Sequence, residues 1–242
     1  MQVTVLGCFG PYPPAGGCCS GYLVWGKEAA VLLDCGNGVL SRLRYYLEPW
    51  EVTAVVLSHL HNDHTGDLPV LRYARQFNRQ HRVETLSVFA PAGPKDEFDR
   101  LFSSEYLRAQ PVQAGETLQI GDLEFAFAQA VHSVPSHIIT VKQGRKKFVY
   151  SGDTENCPQL VAAAAGADLF LCEANYLRSD LEGGANNHLA AFQAAEAARA
   201  AGVKRLVLTH HHPDRSQKEA LREAAAVFPR TELALMGSSY QL

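Results

Sequence analysis

The sequence predicts one α/β domain over residues 1–242, with two β-sheets packed face to face and helices on the outside. Short apolar strands alternate with amphipathic helices, and this order of strands followed by helices occurs twice along the chain. No linker-like or low-complexity stretch separates the two halves. Hydrophobic residues make up 47% of the 242 positions, which suits a single large buried core.

The first half is rich in predicted strands, which are separated by glycine- and proline-rich segments typical of turns. Apolar spacing of three and four residues predicts its helices. In chain order, the predicted elements are strands over 2–6, 21–25 and 29–33, a helix over 39–47, a strand over 53–57 and a helix over 67–78.

The second half repeats this order of strands followed by helices. Alternation of large apolar and smaller residues predicts a strand over 123–127, and Gly144 is placed to turn a hairpin. An alanine-rich stretch predicts a helix that ends at Gly202. The predicted elements after the first strand are hairpin strands over 138–142 and 146–150, a helix over 158–165, a strand over 168–172, helices over 189–201 and 216–227, and strands over 205–209 and 231–235.

Composition narrows the class of protein. With 22 Lys and Arg against 25 Asp and Glu, the formal net charge of −3 argues against a strongly basic nucleic-acid surface, although a local basic patch stays open. The six cysteines form no C-x-x-C motif, so we expect them to be reduced, as in a cytosolic protein. Because the N-terminus lacks signal-peptide features and no apolar run could span a bilayer, we expect a cytoplasmic protein without membrane association.

The sharpest chemical signal is the cluster His59, His61, Asp63 and His64. It follows a predicted buried strand and precedes a predicted helix, so a rigid element presents four potential metal ligands. Alternate residues of an extended segment project to one side, which groups His59 with His61, while the other two can face a second point past the bend. Imidazole and carboxylate ligands suit Zn²⁺ or a similar cation. The alternative is a polar loop that contains histidines by chance.

Residues 59–66, HLHNDHTG, resemble the H-x-H-x-D-H-x-G signature of the metallo-β-lactamase superfamily. Other segments occur in the order that this superfamily uses. Asp34 in LLDCG resembles the aspartate that braces the metal loop, and His132 in AVHS matches the next ligand. Asp153 in SGDT matches the aspartate that bridges two metals, and His210 in LTHHHP matches the last ligand.

This resemblance implies a four-layer αββα sandwich. It also implies two divalent metal ions per chain, for which zinc is the first expectation and manganese or iron are alternatives. It assigns His59, His61 and His132 to one metal, Asp63, His64 and His210 to the other, and Asp153 to both. Two cations flanking one water lower its pKa to about 7 or below, so the resemblance implies a hydrolase with a metal-bridging hydroxide.

The ligand set by itself fits hydrolysis of phosphodiesters, lactones, thioesters or β-lactams. The segments 150–154, 168–174 and 188–210 resemble the ribonuclease Z and phosphodiesterase branch, which favours a small phosphodiester or nucleotide-type substrate. By that resemblance His188 is a catalytic candidate, as an acid or phosphate contact, and Asp63 is a ligand that also shuttles a proton. A loop or helix-cap position is the alternative for His188.

Ribonuclease Z enzymes that process tRNA carry a long arm between the third and fourth motifs. Here His132 and Asp153 are 153 − 132 = 21 positions apart, and a predicted hairpin occupies that interval. The sequence therefore argues against tRNA and for a small-molecule or short nucleotide substrate. The resemblance also allows a homodimer, for which the sequence itself carries no sign.

Further histidines need separate interpretations. If the strand ending at His210 stays extended, His211 points away and His212 returns to the site, so His212 is a candidate substrate contact. His137 either lines the same pocket as a substrate contact or binds a backbone group. His81 lies between two arginines, and we expect it to be solvated. Glu173 either orients a ligand histidine or makes a structural hydrogen bond.

Three rivals to a phosphodiesterase stay open at this point. A lactonase or other acyl hydrolase would use the same metals. A di-iron redox protein of this fold typically has a glutamate in the first motif, where this chain has His61, and a flavin domain. A non-catalytic metal-binding protein is the third rival.

Overall fold

Strands in the two halves of the chain pair in the same pattern. We describe residues 1–78 and 84–242 of a computed structural model, so the prediction for His81 lies outside the described residues. Within these ranges there are two seven-stranded sheets. The first contains β1 (Gln2–Gly7), β2 (Gly21–Trp25), β3 (Ala30–Leu33), β4 (Ala54–Val56), β5 (Leu86–Ala90), β6 (Leu107–Pro111) and β14 (Ser239–Gln241). The second contains β7 (Thr117–Ile120), β8 (Leu123–Gln129), β9 (His137–Gln143), β10 (Lys146–Tyr150), β11 (Leu169–Glu173), β12 (Leu206–Thr209) and β13 (Thr231–Leu233).

The spatial orders are β14-β1-β2-β3-β4-β5-β6 and β13-β12-β11-β10-β9-β8-β7. In the first sheet the pairs from β14 to β3 are antiparallel and those from β3 to β6 are parallel. In the second sheet the pairs from β7 to β10 are antiparallel and those from β10 to β13 are parallel. The carboxyl ends of parallel strands share one edge of a sheet, so each half has such a rim.

Helices cover the outer face of each sheet. They are α1 (Val39–Leu43), α2 (Asn62–Thr65), α3 (Leu68–Gln76), α4 (Lys95–Leu101), α5 (Pro158–Ala164), α6 (Arg178–Glu182), α7 (Ala191–Ala201) and α8 (Gln217–Val227). Successive side chains of a strand point to opposite faces of the sheet and so contribute to two different cores. Tyr22 and Val24 pack between the sheets, whereas Leu23 packs beneath the helices of the first half. A third core joins the second sheet to α5, α7 and α8. The chain therefore has the predicted αββα sandwich.

Several elements differ from the sequence prediction. The predicted helix over 39–47 ends at Leu43 and continues as turns, in which the amides of Tyr46 and Leu47 donate to the Leu43 carbonyl. Strands β5, β6, β7 and β14 and helices α2, α4 and α6 were not predicted. Strand β6 reads LRAQP, which lacks the alternating apolar pattern of a strand.

All six cysteines are buried free thiols. Burial raises the pKa of Cys8 and of Cys19 to about 12, so both thiols stay protonated near neutral pH. Among the described residues, no helix has the length and apolar character that crossing a bilayer requires.

Candidate metal centre

Asp34 anchors the loop that carries the histidine motif. It follows β3, is fully buried, and has a left-handed φ of 54°, which aspartate tolerates better than most residues. Its carboxylate accepts hydrogen bonds from the Ser58 amide (2.7 Å), the Ser58 hydroxyl (2.8 Å) and the Tyr150 hydroxyl (2.8 Å). His64 Nδ1 lies 2.7 Å from the same carboxylate. The brace that the resemblance assigned to Asp34 is thus present.

Ser58 and Asn187 fix the ring orientation of two ligand candidates. Because the Ser58 hydroxyl gives its hydrogen to Asp34, its oxygen accepts from Nδ1–H of His59, at 3.0 Å. Likewise Nδ1–H of His132 donates to the Asn187 carbonyl at 3.0 Å. In both rings Nε2 is then unprotonated and free to bind a metal.

Three imidazole nitrogens converge in the first ligand cluster. His61 Nδ1 lies 3.0 Å from His59 Nε2 and 3.1 Å from His132 Nε2. A single proton on His61 could satisfy only one of these contacts, whereas a tetrahedral Zn²⁺ would hold ligand nitrogens about 3.4 Å apart. Burial lowers the pKa of His59 well below its ordinary range and lowers that of His61, with proximity to other histidines adding to both effects. The cluster thus offers neutral, metal-binding nitrogens.

The second cluster joins Asp63, His64, Asp153 and His210 in the buried interior of the rim. His210 Nε2 lies 3.1 Å from Asp63 Oδ2 and 3.3 Å from Asp153 Oδ2. His64 Nε2 lies 3.5 Å from Asp63 Oδ2 and 3.4 Å from Asp153 Oδ1. Asp153 Oδ2 is also 3.7 Å from His59 Nε2, so this side chain reaches both clusters. The structure brings all seven predicted ligands together.

The electrostatics of the second cluster suit a bound metal ion. His64 Nε2 and Asp153 Oδ1 are buried and have no hydrogen-bond partner in the described structure. Burial disfavours the imidazolium of His64, yet Asp153, Asp63 and Asp34 together raise its pKa well above the ordinary range. Burial likewise disfavours the Asp153 carboxylate, but His210 and His64 hold its pKa well below the ordinary range. Buried carboxylates facing imidazoles need a proton or a metal ion between them, and this nitrogen and oxygen donor set fits a divalent metal.

The loop that follows β12 places His210. Its backbone adopts a left-handed φ of 54° immediately after the strand, and its carbonyl accepts a hydrogen bond from Asn175 Nδ2 at 3.1 Å. Asn175 Nδ2 also donates to the Gly10 carbonyl at 2.9 Å, which ties the loop after β1 to the same point. A Cβ on Gly10 would lie only 1.9 Å from His210 Nε2, so only glycine fits against this ring.

Glu173 orients His188 beside the second cluster. Its buried carboxylate accepts from the Thr154 amide at 2.8 Å and the Leu189 amide at 3.2 Å, and His188 Nδ1 lies 3.0 Å away. The His188 ring stacks on His210 at a centroid distance of 5.2 Å, and its Nδ1 is 3.8 Å from Asp153 Oδ2. Burial lowers the pKa of His188, but the Glu173 carboxylate outweighs this effect and raises it to about 9. Glu173 thus makes structural hydrogen bonds to backbone amides, and the histidine that it orients is His188 rather than one of the seven predicted ligands.

A cavity of about 460 Å³ opens over both clusters. Its lining includes five of the predicted metal ligands and His188, together with residues that the sequence did not single out. These additional residues are Pro11, Asn62, Ser133, Tyr176, Asn186 and Asn187.

His137 and His212 lie outside the lining of this cavity, contrary to the prediction that they contact substrate there. His137 begins β9 opposite Gln129 and lines a separate cavity. His212 Nδ1 accepts from the Asp214 amide at 3.2 Å, and its ring packs against Tyr12. The left-handed backbone of His210 breaks the extended alternation on which the prediction for His212 depended.

The other two histidines of LTHHHP differ in position, since His210 lies in the second cluster and His211 lies outside both clusters. His211 is buried, its amide donates to the Cys8 carbonyl at 2.8 Å, and its ring packs against Phe9. It is a structural residue. Sequence reasoning missed Ser58, Asn175 and the Asn187 carbonyl as orienting groups. Only Ser58 had a local signal, its position next to the motif, because the other two reach the site through tertiary folding.

Comparisons with known proteins agree with this site. The family model described as "Beta-lactamase superfamily domain" matches residues 29–211. Over 94% of both sequences the chain is 30% identical to the probable metallo-hydrolase YhfI of Bacillus subtilis. The crystal structure of YhfI superimposes with a TM-score of 0.92, at 29% identity, over 99% of this chain and 98% of that one.

One further relative is named as a ribonuclease, and one solved structure with the same fold is named as a diphosphatase. The chain is 26% identical to a ribonuclease Z of Methanothermobacter thermautotrophicus, over 97% of this chain and 94% of that protein. A diphosphatase from the PhnP family shares the fold, with a TM-score of 0.76 and 16% identity over 100% and 97% of the two chains. The chain therefore belongs to the β-lactamase superfamily, as its histidine and aspartate motif predicted, and within it to the metallo-hydrolases.

Proposed function

We propose that this protein is a dinuclear, metal-dependent phosphodiesterase that acts on a small phosphodiester or nucleotide-type substrate. The observation that carries the proposal is the His188 and Glu173 pair beside the second ligand cluster, with His188 lining the cavity. An imidazole braced by a buried carboxylate can donate a proton or bind an anionic oxygen next to the metals.

His59, His61 and His132 would hold one metal, and Asp63, His64 and His210 the other, with Asp153 shared. When bound, two divalent ions, which we propose to be zinc, would lower the pKa of a water molecule and neutralise charge on the phosphoryl group. Asp63 is the most accessible ligand of the second cluster, with 11% of its side chain exposed, and its Oδ2 faces the two histidines. Its other carboxylate oxygen is available to take the proton of the attacking water.

His188 would serve the leaving group. Its Nδ1–H donates to Glu173, so Nε2 is the nitrogen available to the substrate. As an imidazolium it can donate the Nε2 proton to the departing oxygen, and Glu173 stabilises the charged ring before the transfer. An ester with a poor leaving group needs this proton most.

The size of the site supports a small substrate. The interval between His132 and Asp153 contains only the hairpin β9–β10, turned at Gly144 and Arg145. No lysine or arginine occurs among the described residues that line the 460 Å³ cavity, which does not favour a long polyanion such as tRNA. Relatives named ribonuclease Z and diphosphatase support chemistry at phosphorus for this scaffold.

Turnover of bis(4-nitrophenyl) phosphate by the zinc- or manganese-loaded protein tests the proposal, alongside lactone and thioester substrates. We expect phosphodiester hydrolysis to exceed acyl hydrolysis. The variant Asp153→Ala, prepared in the same way, controls for contaminating enzymes. Strong lactone or thioester hydrolysis without phosphodiester turnover would show an acyl hydrolase instead. Fewer than one transition metal per chain after purification and reloading would show a protein without a catalytic metal centre.

A further inference from the structure

A second cavity, of about 450 Å³, lies at the same rim of the sandwich as the metal centre. Its walls come from the segments that follow β5 and β6 and from the ends of β8 and β9 where they face each other. The residues that shape it include Pro91, Val112, Gln113, Gln129, Pro135 and His137.

One short loop separates this cavity from the metal cavity. His132 and Ser133 line the metal side of the loop, and Pro135 lines the other side. Ser133 and Pro135 are two positions apart, so the two linings approach within about 7 Å along the chain. Because both residues are exposed, a molecule bound over the metals can extend across the loop without entering the protein core.

The second cavity has the chemistry of a site for a neutral ring. None of the described residues that line it carries a formal charge, which distinguishes it from a phosphate site. Pro91, Val112 and Pro135 provide apolar surface, while the side chains of Gln113 and Gln129 provide amide donors and acceptors at the mouth.

His137 forms the buried floor and has unused hydrogen-bonding capacity. The residue is only 4% exposed, its ring packs against Phe127, and its Nδ1 has no partner in the described structure. Burial lowers the pKa of His137, so the ring is a neutral imidazole at pH 7. A buried polar atom without a partner costs free energy unless the protein or a ligand satisfies it.

We propose that the second cavity binds the neutral heterocyclic ring of the substrate, a nucleobase in the case of a nucleotide ester, while the phosphoryl group occupies the metal cavity. The inference rests on the proposed phosphodiesterase function and adds the part of the substrate that is distant from the reacting phosphorus. Flat proline faces, amide groups and a neutral imidazole recognise such a ring by stacking and hydrogen bonds.

The test uses uncharged nucleosides, adenosine and cytidine, titrated into the metal-loaded full-length protein and followed by NMR. We expect saturable shifts of the His137 ring signals with at least one nucleoside. Ala114→Trp places a large side chain at the exposed mouth of the cavity, and we expect it to weaken this binding by about tenfold or more. Ala200→Trp, on the exposed face of α7, is the matched control and should leave the dissociation constant unchanged.

Three results would overturn the proposal: no saturable binding of either nucleoside, shifts confined to His132 and His188, or an unchanged dissociation constant in Ala114→Trp. Turnover of bis(4-nitrophenyl) phosphate keeps the two hypotheses apart. Nucleoside binding that Ala114→Trp weakens, in a protein inactive on every phosphodiester, refutes the proposed function but supports a ring site. Phosphodiester turnover without nucleoside binding supports the function and refutes the ring site.

Discussion

The ligand residues depend on neighbours that fix the unused ring nitrogen. Ser58 accepts from His59 Nδ1–H and donates to Asp34, so one hydroxyl connects a ligand to the brace of the motif loop. Such partners set which nitrogen is free and where it points, and their removal commonly weakens metal binding by about 10- to 100-fold.

Ser58→Ala should therefore reduce zinc affinity by about 10- to 100-fold while the protein stays folded, because only one small buried group is removed. Zinc titration against a competing chelator measures the affinity, and circular dichroism checks the fold. Ser103→Ala is the control, since this exposed hydroxyl donates to the Arg100 carbonyl at the surface. Equal affinities of wild type and Ser58→Ala would contradict the orienting role.

The Asp153 carboxylate lies within 4 Å of histidine nitrogens in both ligand clusters. Asp153→Ala removes one of the two carboxylates that His64 Nε2 and His210 Nε2 share, so metal content and phosphodiester turnover should both fall, turnover by more than about a hundredfold. Metal analysis after gel filtration and initial-rate measurements check the two effects. Asp96→Ala, in the exposed first turn of α4, is the matched control. Retained activity in Asp153→Ala would exclude the bridging assignment.

Glu173 acts on the substrate only through His188, so it is a positioning residue. Glu173→Gln keeps the shape of the side chain but removes the charge that stabilises the imidazolium. We expect turnover of an alkyl phosphodiester to fall by about a hundredfold and turnover of a 4-nitrophenyl ester to fall less, because nitrophenolate leaves without a proton. Metal content should not change. An equal loss on both substrates would indicate a purely structural role.

At the scale of elements, the site is built from strand ends. The first ligand after each of β4, β8, β10 and β12 lies within three positions of the end of the strand, and this position could be predicted because the apolar pattern of each strand was visible in the sequence. Side-chain direction after a strand could not be predicted. It depends on single backbone angles such as the φ of 54° at His210, which turned His212 away.

Elements held by non-local pairing escaped prediction for a similar reason. Strand β14 is three residues long and exists because it pairs with β1, from which more than 230 positions of sequence separate it. Strands β5 to β7 lie in a region where polar residues interrupt the apolar pattern, and their pairing partners stabilise them instead. The same gap in prediction hid the second cavity, whose walls follow β5 and β6.

Helix α8 offers a test of local stability away from the metals. Its N-cap, Ser216, accepts a hydrogen bond from the Glu219 amide at 3.2 Å, and the helix packs Ala220 and Ala224 into the core beside α7. Ser216→Ala should lower the free energy of unfolding by about 1 kcal/mol, and Ser216→Asp should retain most of it. Urea denaturation of the metal-loaded protein measures both. An unchanged free energy of unfolding in Ser216→Ala would show that the cap contributes little.

At the scale of the whole molecule, the metal centre joins the two sheets. His59 to His64 come from the first sheet, whereas His132, Asp153 and His210 come from the second. A metal shared between them binds only the assembled sandwich, since the unfolded chain does not bring these ligands together. Bound metal therefore contributes directly to the stability of the fold as well as to chemistry.

Metal removal should consequently lower the melting temperature. At a free metal concentration about 1,000 times the dissociation constant, binding stabilises the folded state by about 4 kcal/mol. For a chain of this size that corresponds to a shift on the order of 10 °C, which differential scanning calorimetry with and without a chelator would measure. Asp153→Ala should show a much smaller shift, and an equal shift in both proteins would place the stabilising metal elsewhere.

The size of this shift should grow with pH. Burial already lowers the pKa of His59 well below its ordinary range, so this ligand has no proton to lose near neutral pH. Although burial alone would lower the pKa of His64, Asp153, Asp63 and Asp34 raise it well above the ordinary range, so the metal must displace a proton there. Because the pKa of His64 is raised in the folded state, its protonation stabilises the metal-free fold at low pH, and this stabilisation is lost as the pH rises. A metal ion also competes better for the His64 nitrogen at higher pH, where fewer protons are available. Both effects have the same sign, so the chelator-induced drop in melting temperature should be larger at pH 8 than at pH 6. A drop that is equal or smaller at pH 8 would show that metal binding displaces no proton from this cluster.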